Sequence, residues 1–432
     1  MRQVKRISTM PRQQKIVTLR TEKFVHGGQA LAYDDNGTPV FVWDALPGEL
    51  VEVVIYRQKR QFAEARVERV IEPSVDRVSP RDDAFMSTSP WQIVSEQAEQ
   101  RHKAEILEAT MKHEGVELPA APVFHSTSTY WHYRNKMEYS FYGDDDGLHL
   151  ALFQRGSRAK RIVEGSSIAN PIIDETAQAI LQVLRQSDIR AGDLKSLIVR
   201  NNQAGEAVAA LFVKQADFLH IDQLDGICQG IAVYYSTPKS PASVVSRELY
   251  CFGDTTLREQ VLGHELRYDV LSFFQVNVAE FTKSLEVMRP FLAPAIQKVD
   301  FYAGVGAFVG PLGIDVMVEI DEANITFAQD NVDPSIQIVH ASAESALEFI
   351  PTGKGAAMTL DPPRAGLHKK VVDRLLSQQP ERIAYLSCNP ITQARDIAHL
   401  QTSYELRELH GFNFFPRTPH IESLALLELR SK

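Results

Sequence analysis

The C-terminal third of the chain most strongly limits the possible folds, because helix and strand patterns alternate there from about residue 272. A helix pattern (VAEFTKSLEVMRPFL) is followed by a strand (KVDFYA), a glycine turn, a strand (DVMVEID), a helix (ANITFAQDNV) and two more strand patterns, of which the last ends at Leu360-Asp361. Alternation of this kind calls for parallel strands joined by helical crossovers. We therefore predict an α/β domain with a doubly wound, Rossmann-like sheet.

The first turn of this sheet carries the clearest ligand signal. It reads DFYAGVGAFVG from Asp300, and a dinucleotide fingerprint would need a glycine where Val309 stands. Gly304 and Gly306 let a nucleoside approach the backbone, and Glu319 closes the next strand, where a carboxylate can accept hydrogen bonds from both ribose hydroxyls. This pattern fits S-adenosylmethionine (SAM) better than NAD.

The distribution of charge supports the same ligand. The 432 residues include 46 Lys and Arg against 55 Asp and Glu, a net charge of −9. Nine acids and no base lie between Asp300 and Ile350, so this window accounts for the whole excess. An acidic site attracts the sulfonium of SAM and suits the phosphates of ATP or NADP poorly. The rest of the chain is neutral, with seven bases and one acid in its first 23 residues, so it can still present basic surfaces to RNA.

The N-terminal region has a different pattern. Short apolar–polar alternations from about residue 15 to 72 are separated by turns at Gly27-Gly28, Asn36-Gly37 and Pro47-Gly48, which predicts a small, closed, OB-like β-barrel of five strands. The segment from Gly37 to Glu49 resembles the TRAM domain, a barrel found in RNA-modifying enzymes. The resemblance implies RNA binding, while a barrel used only for packing stays open as the alternative.

The middle of the chain predicts an α/β domain with RNA contacts. A helix is expected from Ser95 to Glu114, and a β-rich stretch after it contains YWHYRNK, in which aromatic rings stand beside Arg134 and Lys136. This mixture suits stacking on unpaired bases and pairing with phosphates, although a hairpin with aromatic cross-strand pairs explains it equally well. We predict three domains, with boundaries at 1–75, 76–265 and 266–432.

The cysteines and hydropathy limit the environment. Cys228, Cys251 and Cys388 are far apart and form no CxxC pair, which excludes a disulfide framework and a four-cysteine metal or iron–sulfur site. No signal-peptide core and no run of ~20 apolar residues is present. We expect a soluble, cytoplasmic monomer without membrane contacts.

Four further motifs carry a specific family resemblance. They are FFQVN at 273–277, DPPRAG at 361–366, SCNP at 387–390 and FPRTPHIES at 415–423. In this order, together with the barrel, the chain from residue 15 to 432 resembles the SAM-dependent RNA uracil-C5 methyltransferases, which make 5-methyluridine in transfer and ribosomal RNA. The resemblance implies SAM as cofactor and RNA as partner.

The chemistry of this reaction requires a nucleophile and a base. Uracil C5 becomes nucleophilic only after addition at C6, and a thiolate is well suited to that addition. Cys388 follows a predicted strand, in a loop where the thiol pKa could be depressed. A carboxylate must then remove the C5 proton, and the resemblance assigns this role to Glu422. Because a stacked base cannot reach Cys388, the target uridine is expected to be flipped out or unpaired.

The resemblance also suggests the binding residues. Gln275, Tyr302 and Glu319 would contact SAM beside the glycine turn. Asp361 would lie between cofactor and base, and Arg364 would hold a phosphate or orient the catalytic loop. Gln275 as a helix cap and Asp361 as a simple strand end are the plain alternatives.

The chain departs from the family pattern where many members carry an iron–sulfur cluster. Residues 86–89 read MSTS where CGGC is common, and Ser166 lies near the fourth cysteine position, so we expect no cluster. Ala307 and the pair Ala341-Ser342 replace polar residues near the adenosine site. Two other functions stay open: a non-catalytic RNA-binding protein, or a SAM methyltransferase that acts on cytosine or a small molecule. The presence of Cys388 and Glu422 argues against the non-catalytic protein. The barrel argues against a small molecule, and Ser387 stands where cytosine enzymes usually have a proline before their nucleophile.

Overall fold

The computed structural model describes residues 16–126, 129–155 and 159–431. Most of the basic N-terminal arm therefore lies outside the described residues. The first five strands close into a barrel in the order β1-β2-β3-β5-β4, as the turn spacing predicts. Alternate side chains fill its interior, including Val40 and Val42, which are fully buried. The strands are β1 (Ile16–Phe24), β2 (Ala30–Tyr33), β3 (Pro39–Trp43), β4 (Leu50–Gln58) and β5 (Ala63–Glu72).

A helical segment follows the barrel. It consists of α1 (Phe85–Thr88), a 3₁₀ turn (Pro90–Ile93), α2 (Glu96–His113) and the short strand β6 (Val123–His125). The Ser95 side chain caps α2 by accepting a hydrogen bond from the backbone N–H of Ala98. The apolar stripe of α2 is buried as its sequence predicts, but Glu99 and Lys103 are buried as well. That second feature does not follow from the helix sequence, in which both residues look solvent-facing.

The central part forms a seven-stranded sheet in the order β13-β12-β11-β10-β7-β8-β9. Helix α3 packs on one of its faces, through Ile173, Ala177, Ile180 and Leu184. The elements are β7 (Lys136–Asp144), β8 (Gly147–Phe153), β9 (Lys160–Ile162), α3 (Pro171–Gln186), β10 (Leu194–Asn201), β11 (Ala207–Val213), a 3₁₀ turn (Asp222–Leu224), β12 (Gly230–Tyr235) and β13 (Arg247–Gly253).

A two-stranded hairpin and an eight-stranded sheet complete the chain. The sheet order is β18-β17-β16-β19-β20-β22-β21-β6, and β16 to β20 are mutually parallel, which confirms the Rossmann-like prediction. The elements are β14 (Thr256–Val261), β15 (His264–Asp269), α4 (Val278–Leu292), β16 (Gln297–Phe301), α5 (Val309–Leu312), β17 (Val316–Glu319), α6 (Glu322–Asn331), β18 (Gln337–His340), 3₁₀ turns (Ala343–Ser345 and Leu347–Phe349), β19 (Gly353–Leu360), α7 (Lys369–Gln378), β20 (Pro380–Ser387), α8 (Pro390–Leu400), β21 (Tyr404–Phe412) and β22 (Glu422–Leu429).

Strand order reverses at β16, which lies between β17 and β19. Ligands of open α/β sheets bind in the crevice at such a switch point, beyond the carboxyl ends of the strands. Strand β6 extends this sheet from its far edge, and α2 packs against α8, so part of the range 76–265 is built into the C-terminal sheet. The proposed domain boundaries stay a prediction. No helix among the described residues is long and apolar enough to cross a membrane.

Candidate active site

A cavity of about 660 Å³ opens at the switch point. Its walls come from the segments that follow β16, β17, β18, β19 and β20, together with the stretch before α4 and the start of β22. Most of the residues singled out in the sequence line it: Arg134, Gln275, Tyr302, Gly304, Glu319, Asp361, Arg364, Cys388 and Glu422.

Cys388 and Glu422 are brought together by strand register. Cys388 directly follows β20, Glu422 begins β22, and these antiparallel strands pair Ser387 with Ser423. The residue after Ser387 therefore lies opposite the residue before Ser423. Gln393 of α8 supports this register, because its Nε2 donates to the backbone oxygen of Tyr385 in β20 at 2.8 Å and to that of Ser423 in β22 at 3.0 Å.

The environment of Cys388 keeps its thiol protonated. Burial is the largest cause, and the charges of Glu422 and Asp361 add to it, so that the pKa of Cys388 is raised to about 11. Arg364 acts in the opposite direction. The expectation of a depressed thiol pKa is therefore wrong, because burial and two nearby carboxyl groups outweigh one guanidinium.

Asp361 and Glu422 form an interacting pair of carboxyl groups. Burial raises the pKa of Asp361 to about 7. The pKa of Glu422 is raised well above its ordinary value by burial and then by the charge of Asp361, against the lowering effect of Arg364. The two carboxyl groups titrate as an interacting pair, so their pKa values belong to the pair and not to either residue alone.

The glycine turn after β16 has a strained start. Tyr302 has φ +66°, a left-handed conformation that non-glycine residues rarely adopt. Gly304 follows with φ +55°, and its N–H donates to Glu319 Oε2 at 2.7 Å. Glu319 Oε1 accepts from the N–H groups of Ile320 and Asp321 at 2.9 and 2.7 Å. Glu319 thus connects the turn to β17. Its Oε2 has a second lone pair, which can accept a hydrogen bond from a ligand.

Gly306 and Lys136 do not line the cavity. A Cβ on Gly306 would meet Val332 Cγ1 at 2.9 Å, and φ is +83°, so glycine is required there for the backbone path and the packing. The carbonyl oxygen of Lys136 accepts a hydrogen bond from Arg134 Nε at 2.8 Å. Lys136 therefore orients Arg134.

The segment that carries Gln275 is held by the central domain. Asn135 donates from Nδ2 to the Gln275 carbonyl oxygen at 3.0 Å. The fully buried Arg200 donates to the carbonyl oxygens of Ser272 and Phe274 at 2.6 and 2.9 Å. Helix α4 is capped by Asn277, so Gln275 is not its cap.

The structure adds residues that the sequence did not single out. Asp300 is 1% exposed, accepts from Thr359 Oγ1 at 2.6 Å, and has no partner for Oδ2 among the described residues. It lines a small recess beside the main cavity, together with Phe273 and Gln275. His420 lines the cavity two residues before Glu422, and burial followed by nearby cations lowers its pKa to about 4. The sequence signal for Asp300 was its place at the start of DFYAGVGAFVG, and the signal for His420 was its place in FPRTPHIES.

The region expected to lack a cluster contains a hydrogen-bonded network. Ser89 Oγ accepts from Gln92 Nε2 at 2.7 Å, and the same nitrogen donates to Asp82 Oδ2 at 2.9 Å. Asp82 also accepts from Ser166 Oγ at 3.4 Å and from the backbone N–H of Ser167. Within the described part of the chain, no group of three or more His, Cys, Asp and Glu residues is arranged to hold a metal ion.

These features define a class of protein. A parallel α/β sheet with a glycine turn at its switch point, an acid closing the second strand and an acidic cavity is the fold of a SAM-dependent methyltransferase. A family model described as tRNA (Uracil-5-)-methyltransferase matches residues 95–216 and 254–430, and a TRAM domain model matches residues 9–67. The chain belongs to the tRNA (uracil-5-)-methyltransferase family of SAM-dependent RNA methyltransferases.

Relatives match along nearly the whole chain. An uncharacterised RNA methyltransferase of Enterococcus faecalis is 27% identical over 95% of this chain and 97% of its own length. Another uncharacterised RNA methyltransferase, from Thermotoga maritima, is 26% identical over 95% of this chain and 98% of its own length. The crystal structure of Pyrococcus abyssi tRNA (uracil-54, C5)-methyltransferase in complex with S-adenosyl-L-homocysteine has a TM-score of 0.76 at 20% identity, covering 95% of this chain and 100% of that chain. This last likeness establishes the fold.

Proposed function

We propose that the protein methylates C5 of a uridine in structured transfer or ribosomal RNA. The observation that carries this proposal is the β20–β22 register, which sets a cysteine opposite a carboxylate in one cavity. A thiol for addition at C6 and a carboxyl group for removal of the C5 proton are the two groups that the reaction needs from the protein. We infer that the enzyme works as a cytoplasmic monomer.

The cavity has the donors and acceptors to hold SAM. Asp300 Oδ2 is buried without a partner among the described residues and suits an ammonium group. Gly304 leaves open space where a Cβ would stand, and Glu319 Oε2 keeps a lone pair for a ribose hydroxyl. Gln275 and the ring of Tyr302 complete this part of the wall. SAM, when bound, supplies the methyl group.

The remaining steps belong to the side chains of the chain itself. Cys388 loses its proton to solvent, and its thiolate sulfur adds to C6 of the uracil, so that the C5–C6 π electrons become an enolate with a nucleophilic C5. After C5 has gained the methyl group, Glu422 accepts the C5 proton. The C6–S bond then breaks, and its electrons return to Cys388 as thiolate, so atoms and charges balance. Glu422 must be ionised to act, and Arg364 favours the charged forms of both residues.

We assign RNA contacts at the cavity to Arg134 and Arg364. Arg134 Nε donates to the carbonyl oxygen of Lys136. The two terminal nitrogens of the Arg134 guanidinium can then bind a phosphate. The backbone oxygen of Arg364 accepts from Asn389 Nδ2 at 2.8 Å, which links this loop to the one after Cys388. The uracil reaches Cys388 only when it is unstacked.

Trapping of a covalent intermediate tests the proposal. Transfer RNA and ribosomal RNA transcribed with 5-fluorouridine are incubated with SAM and the enzyme. Because fluorine cannot be removed as a proton, a protein–RNA adduct that survives denaturing electrophoresis is expected. Cys388→Ala should abolish the adduct, whereas the control Cys251→Ala should leave it unchanged.

Glu422→Gln gives an independent result with ordinary uridine. This variant can add and methylate but cannot remove the C5 proton, so the covalent complex should accumulate without fluorine. Absence of any adduct of the wild type with either RNA class would refute the proposed reaction.

A further inference from the structure

The outer surface of the barrel carries aromatic side chains where polar residues are usual. Along β3, Val40 and Val42 point into the core, whereas Phe41 and Trp43 point outward and are partly exposed. Phe62 packs edge-on against Phe41, with ring centroids 5.7 Å apart. Tyr56, which is 49% exposed, neighbours Trp43. We call Phe41, Trp43, Tyr56 and Phe62 the barrel aromatic face.

The barrel aromatic face has a basic rim. The tip of the β4–β5 hairpin, residues 55–66, lies beside it and holds four bases and one acid, Glu64, with which Arg57 pairs at 2.9 Å. Three further bases of this hairpin are exposed and have no ion-pair partner among the described residues: Lys59, Arg60 and Arg66. In a chain with a net charge of −9, this local excess of bases around aromatic rings favours a polyanionic ligand with flat bases, that is, a nucleic acid.

Arg155 connects the barrel aromatic face with the active site. Its guanidinium lies 4.7 Å from the centroid of the Trp43 ring. It has no carboxylate within ion-pair distance in the described ranges, and burial lowers its pKa. Its charge also contributes to the lowered pKa of His420, which lines the cavity. A partly desolvated guanidinium without a counterion is a site for a phosphate group.

The barrel packs directly against the loop that forms one side of the cavity. Gly28 at the β1–β2 turn lies so close to Pro419 that a Cβ would stand 2.3 Å from Pro419 Cβ. Trp91 Nε1 donates to the Gly28 carbonyl oxygen at 3.0 Å. Because Pro419 precedes His420, the barrel is docked on the loop that forms one side of the cavity.

We propose that the barrel aromatic face binds an unpaired RNA segment next to the target nucleotide, with a base stacked on Trp43 and the adjoining phosphate on Arg155. This inference rests on the proposed function and adds where the flanking strand runs. Aromatic side chains bind unpaired nucleotides by stacking on the bases, and this contact depends little on the base sequence. The face therefore holds the strand while the target uridine enters the cavity.

Binding of a single-stranded probe tests this surface without any methyl transfer. A fluorescein-labelled oligouridine of about twelve nucleotides is titrated by fluorescence anisotropy. Trp43→Ala should weaken binding about 5-fold to 150-fold, whereas Trp43→Phe, which keeps a ring, should stay near the wild type. Phe62→Ala, in the loop between β4 and β5, should also weaken binding, and this second variant tests the face even if Trp43→Ala fails to fold.

Arg155→Gln should act through charge. The slope of log affinity against log salt concentration should decrease in magnitude by about 0.7 when one phosphate contact to a single strand is lost. Tyr33→Ala is the aromatic control, because Tyr33 is 44% exposed on β2 and faces Pro39 at the opposite end of β3 from Trp43. Arg69→Gln is the charge control, since Arg69 is already paired with Glu52.

Any of three results would overturn the inference. One is equal affinity of the Trp43→Ala and Tyr33→Ala variants for oligouridine. Another is an unchanged salt slope in Arg155→Gln, and the third is no binding of oligouridine by the wild type. Adduct formation with 5-fluorouridine RNA is measured in parallel, so that loss of the surface and loss of the proposed reaction are recognised separately.

Discussion

Glu99 on α2 and Arg417 in the loop before β22 form a buried ion pair, 3.1 Å between Oε2 and Nη1, with side chains 0% and 1% exposed. The Arg417 backbone N–H donates to both Glu99 oxygens, and Lys103 Nζ donates to Glu99 Oε1 at 2.9 Å and to the Phe415 carbonyl oxygen at 3.1 Å. Helix α2 thereby holds the loop that carries Phe415 and His420 into the cavity.

Removal of the Glu99 carboxylate should be strongly destabilising. Glu99→Leu leaves Lys103 and Arg417 buried without their anion, which costs about 3–5 kcal/mol of unfolding free energy. Urea denaturation measures this loss. Glu108→Leu is the matched control, because Glu108 pairs with Lys112 at the surface and should change stability by less than about 1 kcal/mol. Similar losses in both variants would contradict a structural role for the buried pair.

Arg364 should control the reactivity of Cys388. Loss of its cation in Arg364→Gln raises the thiol pKa further, and each unit of pKa reduces the thiolate fraction about tenfold below the pKa. We expect slower alkylation of Cys388 by iodoacetamide between about pH 7 and 10, measured by mass spectrometry in a Cys251→Ser background. Arg364→Lys should retain most of the wild-type rate. Identical rates in the Gln and Lys variants would show that charge is not the cause.

Asp361 should make stability depend on pH. Its pKa is about 7 in the folded protein against an ordinary value of 3.8, so the folded state binds the proton more tightly between these values. The contribution of Asp361 to the free energy of unfolding is therefore greatest at low pH, and it declines as the pH rises from about 4 to 7. Asp361→Asn should gain thermal stability relative to wild type across that window. The exposed control Asp373→Asn should show no such trend, and a constant offset for Asp361→Asn would contradict the assignment.

Arg200 should influence cofactor binding from outside the cavity. Arg200→Met leaves the buried carbonyl oxygens of Ser272 and Phe274 without a donor, at about 1–3 kcal/mol for each unsatisfied group. Because Gln275 follows Phe274, we expect weaker binding of S-adenosylhomocysteine, measured by calorimetry. Arg258→Met, which breaks an exposed pair with Glu265, is the control. Lower stability with unchanged affinity would restrict Arg200 to a structural role.

Local patterns were sufficient for several parts of the fold. The 3.6-residue period of VAEFTKSLEVMRPFL predicts α4, which spans Val278–Leu292 in the structure, and the turn residues from Gly27 to Gly48 predict the closed barrel. Glu319 at the end of β17 and the glycine turn after β16 also lie where the pattern predicts. These features depend on neighbours along the chain, which a sequence shows directly.

Contacts between distant segments could not be read in this way. The sequence suggested that Gly306 contacts the cofactor and that Lys136 contacts RNA, and both assignments stay predictions. What the sequence could not show is that a Cβ on Gly306 would meet Val332 Cγ1 at 2.9 Å and that the Lys136 carbonyl oxygen accepts from Arg134 Nε. The thiol pKa depends on burial and on Asp361 and Glu422, which lie 27 residues before and 34 residues after Cys388 in the sequence.

Charge distribution and local patterns were enough to indicate a Rossmann-like, SAM-binding domain and a small barrel, because each depends on residue types and short-range periodicity. The family resemblance of the motifs added RNA as the expected partner. The opposition of Cys388 and Glu422, the clamp from Glu99 to Arg417 and the approach of Arg155 to Trp43 arise only when strands pair and domains dock. Those contacts join residues far apart in the chain, and the free energy of packing selects them over the many other pairings that the same local patterns allow.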